Sequence, residues 1–335
     1  MGPMAHLPDS RPVATADASL RDFDLLVAGE VNPDIVVTDP DPRPVFGQAE
    51  RLVQSIRLSI GSSSVITACG AARLGLRVAM VGVVGEDELG RFTLDAMRAR
   101  GLDVSACRVS PGAATGASVI LGNGHDRAIL TATGTIGDLR ADDVPDTLLR
   151  RARHLHVGSY YLQPSLAGSL PDLFRRAHAL GLTTSLDPNW DPSGRWDGFT
   201  DVLGETDLAF PNAAEACRIA RNDDPEAAAL ALVAMTGPSR PSAVVVKLGP
   251  DGALAALPDG RVVRAPALPV EPVDTTGAGD SFDAGFLAAW LEDRDVDRAL
   301  RFATACGSLS AQAIGGTDGQ PTRAEVKATM RRSSG

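Results

Sequence analysis

The stretch "DTTGAGDSFDAGF" at residues 274–286 joins a glycine-rich turn to the start of an amphipathic pattern. Phe282, Phe286, Ala289 and Trp290 follow the spacing of one helical face. The pattern predicts that residues 277–279 form a loop and that Asp280 lies in the first turn of a helix.

Such a loop predicts an anion-binding site. Glycines let backbone N–H groups converge, and a helix N-terminus adds partial positive charge. The arrangement suits a phosphoryl group that gains negative charge in a transition state. Two interpretations of Asp280 are open: a helix cap, or a general base beside the anion hole.

Composition bounds the class of protein. The chain has 335 residues, of which 44% are hydrophobic and 4% aromatic, with a net charge of −10. Low aromatic content and no basic cluster beyond short arginine pairs argue against nucleic acid or an anionic membrane as a partner. We find neither a long apolar run nor a secretory signal pattern, and we expect a cytoplasmic protein. The scattered cysteines indicate reduced thiols, not a zinc site or disulfides: Cys69, Cys107, Cys217 and Cys306.

The rest of the chain alternates strand and helix patterns. This alternation predicts an α/β fold with a mostly parallel sheet, whose ligands bind beyond the carboxyl ends of its strands. Two hairpins are predicted, one around Asn123-Gly124 and one within residues 251–266. Residues 1–22 are predicted to be a loose tail. The strongest strand predictions are residues 24–28, 77–85, 154–158, 183–189, 207–212 and 242–249.

The opening stretch resembles the C-terminal signature of the ribokinase-like (PfkB) carbohydrate kinases. Further segments are similar to the family in order and spacing: "GEVNPD" at 29–34, "GSSSVITACGAARLG" at 61–75, "PNAAE" at 211–215 and "VVVKLGPDG" at 244–252. The resemblance implies one kinase domain over residues 23–330 with a three-layer, Rossmann-like ribokinase fold. Its central, mostly parallel sheet is flanked by helices. A small β-sheet lid is expected from about residues 35–60 and 107–133.

The resemblance also implies ATP-dependent phosphorylation of an alcohol. Asp280 would accept the hydroxyl proton, and the N–H groups of Gly277, Ala278 and Gly279 would hold the transferring phosphoryl group. Asn212 and Glu215 would organise Mg²⁺ through water. Positioning and charge stabilisation suffice for this chemistry, and the sequence contains no Walker motif.

Other site residues follow from the same resemblance. For Thr304 the alternative is plain core packing, and for Asp274 it is a hydrogen bond that braces the loop. Asn32, Asp34, Gly61 and Ser62 would bind the sugar, whereas Asn212, Lys247, Gly249, Gly252, Gly279 and Thr304 would contact ATP. A monovalent cation, K⁺, would lie among Asp274, Thr276, Ser310, Ala313, Gly315 and Gly319.

The sugar side departs from the family pattern. Ser62 replaces a common second glycine, and Ile66 replaces an asparagine whose amide an isoleucine cannot mimic. Asp191 occupies the place of a usual arginine, with Arg195 four residues later. Tyr160 and Tyr161 could line the pocket, although core packing is the favoured interpretation of each. We therefore expect a ribokinase-, fructokinase- or ketodeoxygluconate-kinase-like enzyme acting on a small sugar or sugar acid.

Rival functions remain open at this point. A nucleoside kinase on the same scaffold would share the chemistry and differ in the acceptor pocket. A non-catalytic sugar-binding regulator is disfavoured by the intact Asp280, Gly277 and Gly279. A dinucleotide dehydrogenase is weaker, because no G-x-G-x-x-G follows the first strand. A homodimer through the lid is expected, since pairing would cover exposed sheet surface.

Overall fold

The computed structural model of the protein describes residues 21–123, 127–236 and 243–333. Within these ranges the strands are, in chain order, β1 Leu25–Ala28, β2 Pro33–Thr38, β3 Ser55–Ile60, β4 Val78–Val81, β5 Val83–Gly85, β6 Arg108–Ser110, β7 Ala117–Gly122, β8 Arg127–Ala132, β9 His154–Val157, β10 Thr183–Leu186, β11 Leu208–Ala209, β12 Ala243–Lys247, β13 Ala253–Ala256 and β14 Val262–Ala265.

The helices of the same ranges alternate with these strands. They are α1 Ser63–Arg73, α2 Glu88–Ala99, α3 Asp146–Leu149, α4 Pro164–Ala167, α5 Leu170–Ala179, α6 Phe199–Leu203, α7 Ala213–Ala220, α8 Pro225–Val233, α9 Ala278–Asp293, α10 Val296–Ser310 and α11 Arg323–Ser333. Short 3₁₀ turns occur at Ile136–Asp138, Ala141–Asp143, Tyr160–Leu162 and Gly249–Asp251.

The central sheet has eight strands in the order β14-β13-β12-β11-β10-β9-β1-β4. The strands from β12 to β4 pair in parallel, and β13 and β14 add an antiparallel hairpin at one edge. This confirms the α/β class and the hairpin predicted within residues 251–266. One face packs on α1, α9 and α10 through residues such as Phe286, and the other on α5 and α8 through residues such as Phe174. The result is three layers.

A second, four-stranded sheet has the order β3-β2-β7-β8. It is built from the segments predicted to form a lid, and we refer to it as the small sheet. Its register pairs Asp34 with Ser59 and Ser118, and Ser118 with Thr131. The predicted turn after Asn123 lies outside the described residues, as do residues 1–20 of the predicted tail. The strands that this turn joins pair antiparallel, as expected of a hairpin.

Three sequence predictions differ from the structure in detail. The apolar run at residues 77–85 was expected to be one strand, but it divides at Gly82 into β4 and β5. A Cβ at Gly82 would lie 2.3 Å from Val31 Cγ2, so the chain passes too closely for a side chain and changes sheet there. Strand β5 pairs with β6, which takes residues 108–110 away from the small sheet. Helix α9 begins at Ala278, so that only Gly277 of the predicted loop is non-helical.

No helix in the described part of the chain is both long and apolar enough to cross a membrane. The four cysteines are free, and burial raises the pKa of the Cys69 thiol to about 12. An unreactive, protonated thiol at this position agrees with the expectation of reduced cysteines.

Candidate active site

The glycine-rich turn caps α9 and leaves backbone donors available. Gly277 is the N-cap residue with a φ of 73°, and a Cβ there would lie 2.7 Å from the Cα of Gly316. Glycine is therefore required by both backbone conformation and space. The N–H groups of Gly277 and Gly279 donate to no backbone acceptor among the described residues, whereas that of Ala278 bonds to the Thr275 carbonyl at 3.2 Å. Two of the three predicted donors are thus free to bind an anion.

Asp280 lies in the first turn of α9, as predicted. Its Oδ1 accepts a hydrogen bond of 2.5 Å from the Ser63 hydroxyl. Burial raises the pKa of Asp280 to about 7, and the negative charges of Asp187 and Glu30 act in the same direction. Ser63 and Lys247 oppose the rise. The carboxylate is therefore poised to exchange a proton near neutral pH.

Asp34 on β2 is a second buried carboxylate, close enough to Asp280 for the two charges to interact. It is buried, and a Cβ at Gly61 would lie only 2.0 Å from Asp34 Oδ1. Burial raises the pKa of Asp34 to about 7, and the charge of Asp280 adds to the effect. The two carboxylates therefore interact across one site. The structure thus brings the predicted base and the predicted sugar ligand together.

The other predicted sugar-side residues surround this pair. Ser62 adopts a φ of 69° and caps α1, because its Oγ accepts from the Val65 N–H. Asn32 is buried, and among the described residues the hydrogen bond of its side-chain amide is a long one, 3.3 Å to the Pro33 carbonyl. Ile66 packs against the turn at Gly316, where a Cβ would lie 2.5 Å from its Cδ1. That side chain fills a gap behind the site and presents no polar atom.

Asn212 and Glu215 form a reciprocal cap at the start of α7. The Asn212 N–H donates to Glu215 Oε2 at 2.8 Å, and the Glu215 N–H donates to Asn212 Oδ1 at 3.0 Å. Burial raises the pKa of Glu215 to about 7, followed by the negative charge of Asp187. The excess negative charge favours a cation nearby, and oxygen donors suit Mg²⁺.

The remaining predicted ATP residues line the carboxyl end of β12 and one face of α10. Gly249 and Gly252 lie in the turn that follows β12. Thr304 is buried on α10, and its hydroxyl donates to the Arg301 carbonyl at 2.9 Å. The local geometry of Thr304 is therefore compatible both with core packing and with the predicted contact to ATP.

Lys247 lies in a buried ion cluster that sequence reasoning missed. Its Nζ is 2.8 Å from Asp187 Oδ2 and 3.0 Å from Asp283 Oδ2. Burial alone would lower the pKa of Lys247, but the charges of the two aspartates raise it above its ordinary value. A Cβ at Gly279 would lie 3.7 Å from Lys247 Nζ, so the ammonium lies close to that residue. The positive charge of Lys247 is consequently shared with two carboxylates near the anion hole.

The predicted cation residues lie in two facing loops. Asp274 joins the loops, because its Oδ1 accepts from the Thr276 N–H and its Oδ2 from the Gly315 N–H, both at 2.9 Å. These two hydrogen bonds brace the loops, and the binding of an ion by the same loops stays a prediction. Ser310, Ala313 and Gly319 approach one another closely in the second loop.

The segment after β10 does not bring an arginine to the site. The carboxylate of Asp191 accepts hydrogen bonds from the Ser193 N–H, the Ser193 hydroxyl and the Trp196 N–H at 2.7–2.8 Å. It therefore organises its own turn. Arg195 is exposed and lies 3.7 Å from Asp197. Tyr160 and Tyr161 pack with Phe199, which agrees with the favoured core interpretation.

Comparison with known proteins identifies the family. The sequence profile described as pfkB family carbohydrate kinase matches residues 22–323. An ATP-dependent ribose-1-phosphate kinase of Halopiger xanaduensis is 31% identical over 288 residues, covering 86% of this chain and 91% of that protein. The ribokinase of Bacillus subtilis is 30% identical over 306 residues, covering 90% and 98%.

A solved structure is similar in fold. The ribokinase of Arabidopsis thaliana, complexed with ribose and ATP, superposes with a TM-score of 0.79 at 23% identity, covering 92% of this chain and 99% of that one. The profile match spans most of the chain, and the chain therefore belongs to the pfkB family of carbohydrate kinases.

Proposed function

We propose that this kinase transfers the γ-phosphoryl group of ATP to a primary hydroxyl of a small sugar or sugar acid. The observation that carries the proposal is the placement of Asp280 in the same first turn of α9 as Gly277 and Gly279, with Asp34 close by. The N–H groups of the two glycines have no backbone acceptor in the described part of the chain. The hydroxyl oxygen attacks the γ-phosphorus, its proton passes to Asp280, and the bond to the ADP oxygen breaks. Because ATP is the phosphoryl donor, we propose the cytoplasm as the compartment.

Each site residue then has a physical task. Near neutral pH Asp280 is partly ionised, which suits a base that accepts a proton during transfer. The N–H groups of Gly277 and Gly279 stabilise negative charge on the transferring group. Asp34 holds the other hydroxyls of the sugar, together with Asn32 and the backbone at residues 61–62.

A second group of residues would hold Mg²⁺ and the nucleotide in this proposal. Asn212 and Glu215 would hold the ion through water, and Mg²⁺ neutralises charge on the phosphates. Gly249, Gly252 and Thr304 would contact the nucleotide. The Lys247 ammonium has three N–H donors, so it could reach a phosphate while it keeps its contacts with Asp187 and Asp283.

A panel of acceptors tests the proposed function. ADP release is measured with ATP, Mg²⁺ and one of five compounds: D-ribose, D-fructose, 2-keto-3-deoxygluconate, ribose 1-phosphate or adenosine. We expect turnover with at least one sugar or sugar derivative above the acceptor-free rate. Adenosine turning over faster than every sugar would instead establish a nucleoside kinase.

The role of Asp34 gives a separate prediction. Asp34→Ala removes the buried carboxylate that faces the acceptor, so KM for the sugar should rise at least about tenfold while KM for ATP changes little. Steady-state kinetics with each substrate varied in turn measures both constants. Equal changes in the two values, or no change, would place Asp34 outside the acceptor site.

A monovalent cation in the facing loops is the second part of the proposal. Backbone carbonyls and one carboxylate form a hard-oxygen environment suited to K⁺. We expect kcat to be higher in K⁺ than in Na⁺ at constant ionic strength, because an ion there would fix the donors of the anion hole. Asp274→Ala should lower kcat and abolish the difference. Equal rates of the unmodified enzyme in the two salts would leave Asp274 as a loop brace only.

The third part of the proposal is a homodimer formed through the small sheet. The register places Ile35, Val37, Ile56, Leu58, Val119, Leu121 and Leu130 on the face opposite Asp34, and we call this set the apolar sheet face. Ile56 is 68% exposed and Leu130 is 61% exposed. A continuous apolar face of this kind supports pairing with its own copy in a second chain, which is the commonest symmetry of soluble oligomers.

Charge on this face should separate the subunits. Ile56→Asp combined with Leu130→Asp is expected to yield a monomer, because burying two unpaired carboxylates per chain opposes association. Sedimentation velocity at micromolar concentration measures the mass. Val109→Asp is the matched control, since Val109 is 45% exposed on β6 outside the apolar sheet face. A monomeric unmodified protein would contradict the proposed dimer.

A further inference from the structure

Ser63 is the first residue of α1 and lies against the first turn of α9. Its hydroxyl donates to Asp280 Oδ1, although 217 positions separate the two residues in sequence. The Thr67 hydroxyl, one turn further along α1, approaches the Asp280 carbonyl at 3.4 Å. The positive N-terminal ends of two helices therefore meet at this carboxylate, which favours its ionised form.

The residues on both sides of Ser63 are fixed to Glu30. The Ser62 hydroxyl donates to the Glu30 carbonyl at 2.5 Å, and the Ser64 hydroxyl donates to Glu30 Oε2 at 2.5 Å. The Ser64 N–H also approaches Glu30 Oε1 at 3.3 Å. Ser62 holds a left-handed φ of 69°, which non-glycine residues adopt only when their surroundings enforce it. The backbone at Ser63 is consequently clamped, and its hydroxyl has a defined direction.

Glu30 is itself tied to the strand ends of the central sheet. It is buried, and its Oε1 accepts from the Ser159 hydroxyl at 2.7 Å. The Asn189 side chain donates to Ser159 Oγ at 2.9 Å, and the Asn189 N–H donates to Asp187 Oδ1 at 2.7 Å. Ser159 and Asn189 also have left-handed φ values, of 53° and 52°. A chain of hydrogen bonds thus runs from α1 to the Lys247 cluster.

The ion cluster of Lys247, Asp187 and Asp283 connects this series of hydrogen bonds to α9. Lys247 joins Asp187 to Asp283, and Asp283 lies one helical turn after Asp280. The two ends of the network therefore meet at the same turn of α9. Backbone strain concentrated in such a network is a feature of functional sites, where geometry is held at a cost in stability.

We infer that Ser63 is a positioning residue for Asp280. The inference rests on the proposed function, in which Asp280 is the base. The Ser63 hydroxyl occupies Oδ1 and leaves Oδ2 to accept the proton of the acceptor. It also stabilises the ionised form of Asp280. The other titratable groups that interact with Asp280 are the carboxyl groups of Glu30, Asp34, Asp187, Glu215 and Asp283 and the ammonium of Lys247.

Ser63→Ala tests this role through the titration of Asp280. Loss of a hydrogen bond to the charged form raises the pKa of a carboxyl group by about one unit. We expect the acid limb of the pH profile of kcat/KM to move up by about that amount. The activity deficit of the variant should be about fivefold at pH 7 and shrink at higher pH, where the carboxylate is ionised in both proteins. Ser63→Thr keeps the hydroxyl and should restore the limb.

A direct readout avoids dependence on turnover. The free protein labelled with [4-¹³C]aspartate gives carboxyl resonances, and Asp280→Asn identifies the Asp280 signal by its disappearance. The midpoint of that signal should rise by about one pH unit in Ser63→Ala. Ser193→Ala is the matched control, because the Ser193 hydroxyl donates to Asp191 Oδ2 at 2.8 Å in an exposed turn. It should leave both the midpoint and the pH limb unchanged.

The outcomes separate this inference from the proposed function. An inactive Asp280→Asn with an unmoved limb and midpoint in Ser63→Ala would overturn the inference and leave the base assignment in place. An active Asp280→Asn would overturn the base assignment itself. A Ser63→Ala deficit that is the same at every pH, with no rescue by Ser63→Thr, would make Ser63 an ordinary packing residue.

Discussion

Asp280→Asn is expected to lower turnover at least about 100-fold while leaving the fold and ATP binding nearly intact. Asparagine has almost the shape of aspartate, and its amide oxygen can still accept the hydrogen bond from Ser63. It cannot accept a proton at neutral pH, so the acceptor hydroxyl loses its base. Coupled ADP release measures turnover, and calorimetric titration with ATP measures binding.

A matched substitution controls for loss of charge alone. Asp95 is exposed on α2, and its ion pair with Arg98 contributes little to stability. Asp95→Asn should retain the turnover of the unmodified enzyme. If Asp280→Asn also turned over at a near-normal rate, Asp280 would be a helix cap and the proposed mechanism would be wrong.

Lys247→Met is expected to cause the largest loss of stability. Methionine fills a similar volume but leaves Asp187 and Asp283 buried without their shared cation. Removing one partner of a buried ion pair costs about 3–5 kcal/mol, because the remaining charge is uncompensated. Urea denaturation at fixed pH measures the free energy of unfolding. Lys327→Met is the control, since Lys327 is the chain's other lysine and is exposed on α11.

The deficit of Lys247→Met should depend on pH with a defined sign. Without the ammonium, burial raises the folded-state pKa of the two carboxyl groups above the values in the unfolded chain. The folded protein then binds more protons than the unfolded one, so stability falls as pH rises through the raised pKa values. We expect a smaller deficit at pH 5 than at pH 8. A deficit below about 1 kcal/mol at both values would contradict the role of the cluster.

Much of the fold was predictable because the apolar patterns are local. Strands β1, β9, β10 and β12 were read from short apolar runs, and the hairpin of β13 and β14 from a turn signal. The break at Gly82 was not visible, since β4 and β5 form one continuous apolar run in the sequence. Only the close approach of Val31 from another segment makes that glycine a point of divergence.

The site residues also fall into those that local sequence predicts and those that depend on distant contacts. Gly277, Asp280 and Asp34 could be named because their motif places them at the ends of elements. Glu30, Asp187, Asp283 and Ser63 carry no local signal of their roles, which come from contacts between distant segments. The Ser63–Asp280 and Lys247–Asp187 contacts join residues 217 and 60 positions apart. Glu30, Ser63 and Asp283 lie inside quoted motifs, and Asp187 lies in a predicted strand, but the sequence does not assign their partners.

The central claim is that phosphate moves from ATP to a sugar hydroxyl at Asp280. Phosphorus-31 NMR of the complete reaction, with proton coupling retained, measures this most directly. The account predicts a new phosphomonoester signal, coupled to two methylene protons as a primary ester requires, in an amount equal to the ADP formed. The signal should form at least about 100-fold more slowly when Asp280→Asn replaces the unmodified enzyme. ADP with free phosphate and no ester, or a phosphomonoester formed on adenosine alone, would contradict it.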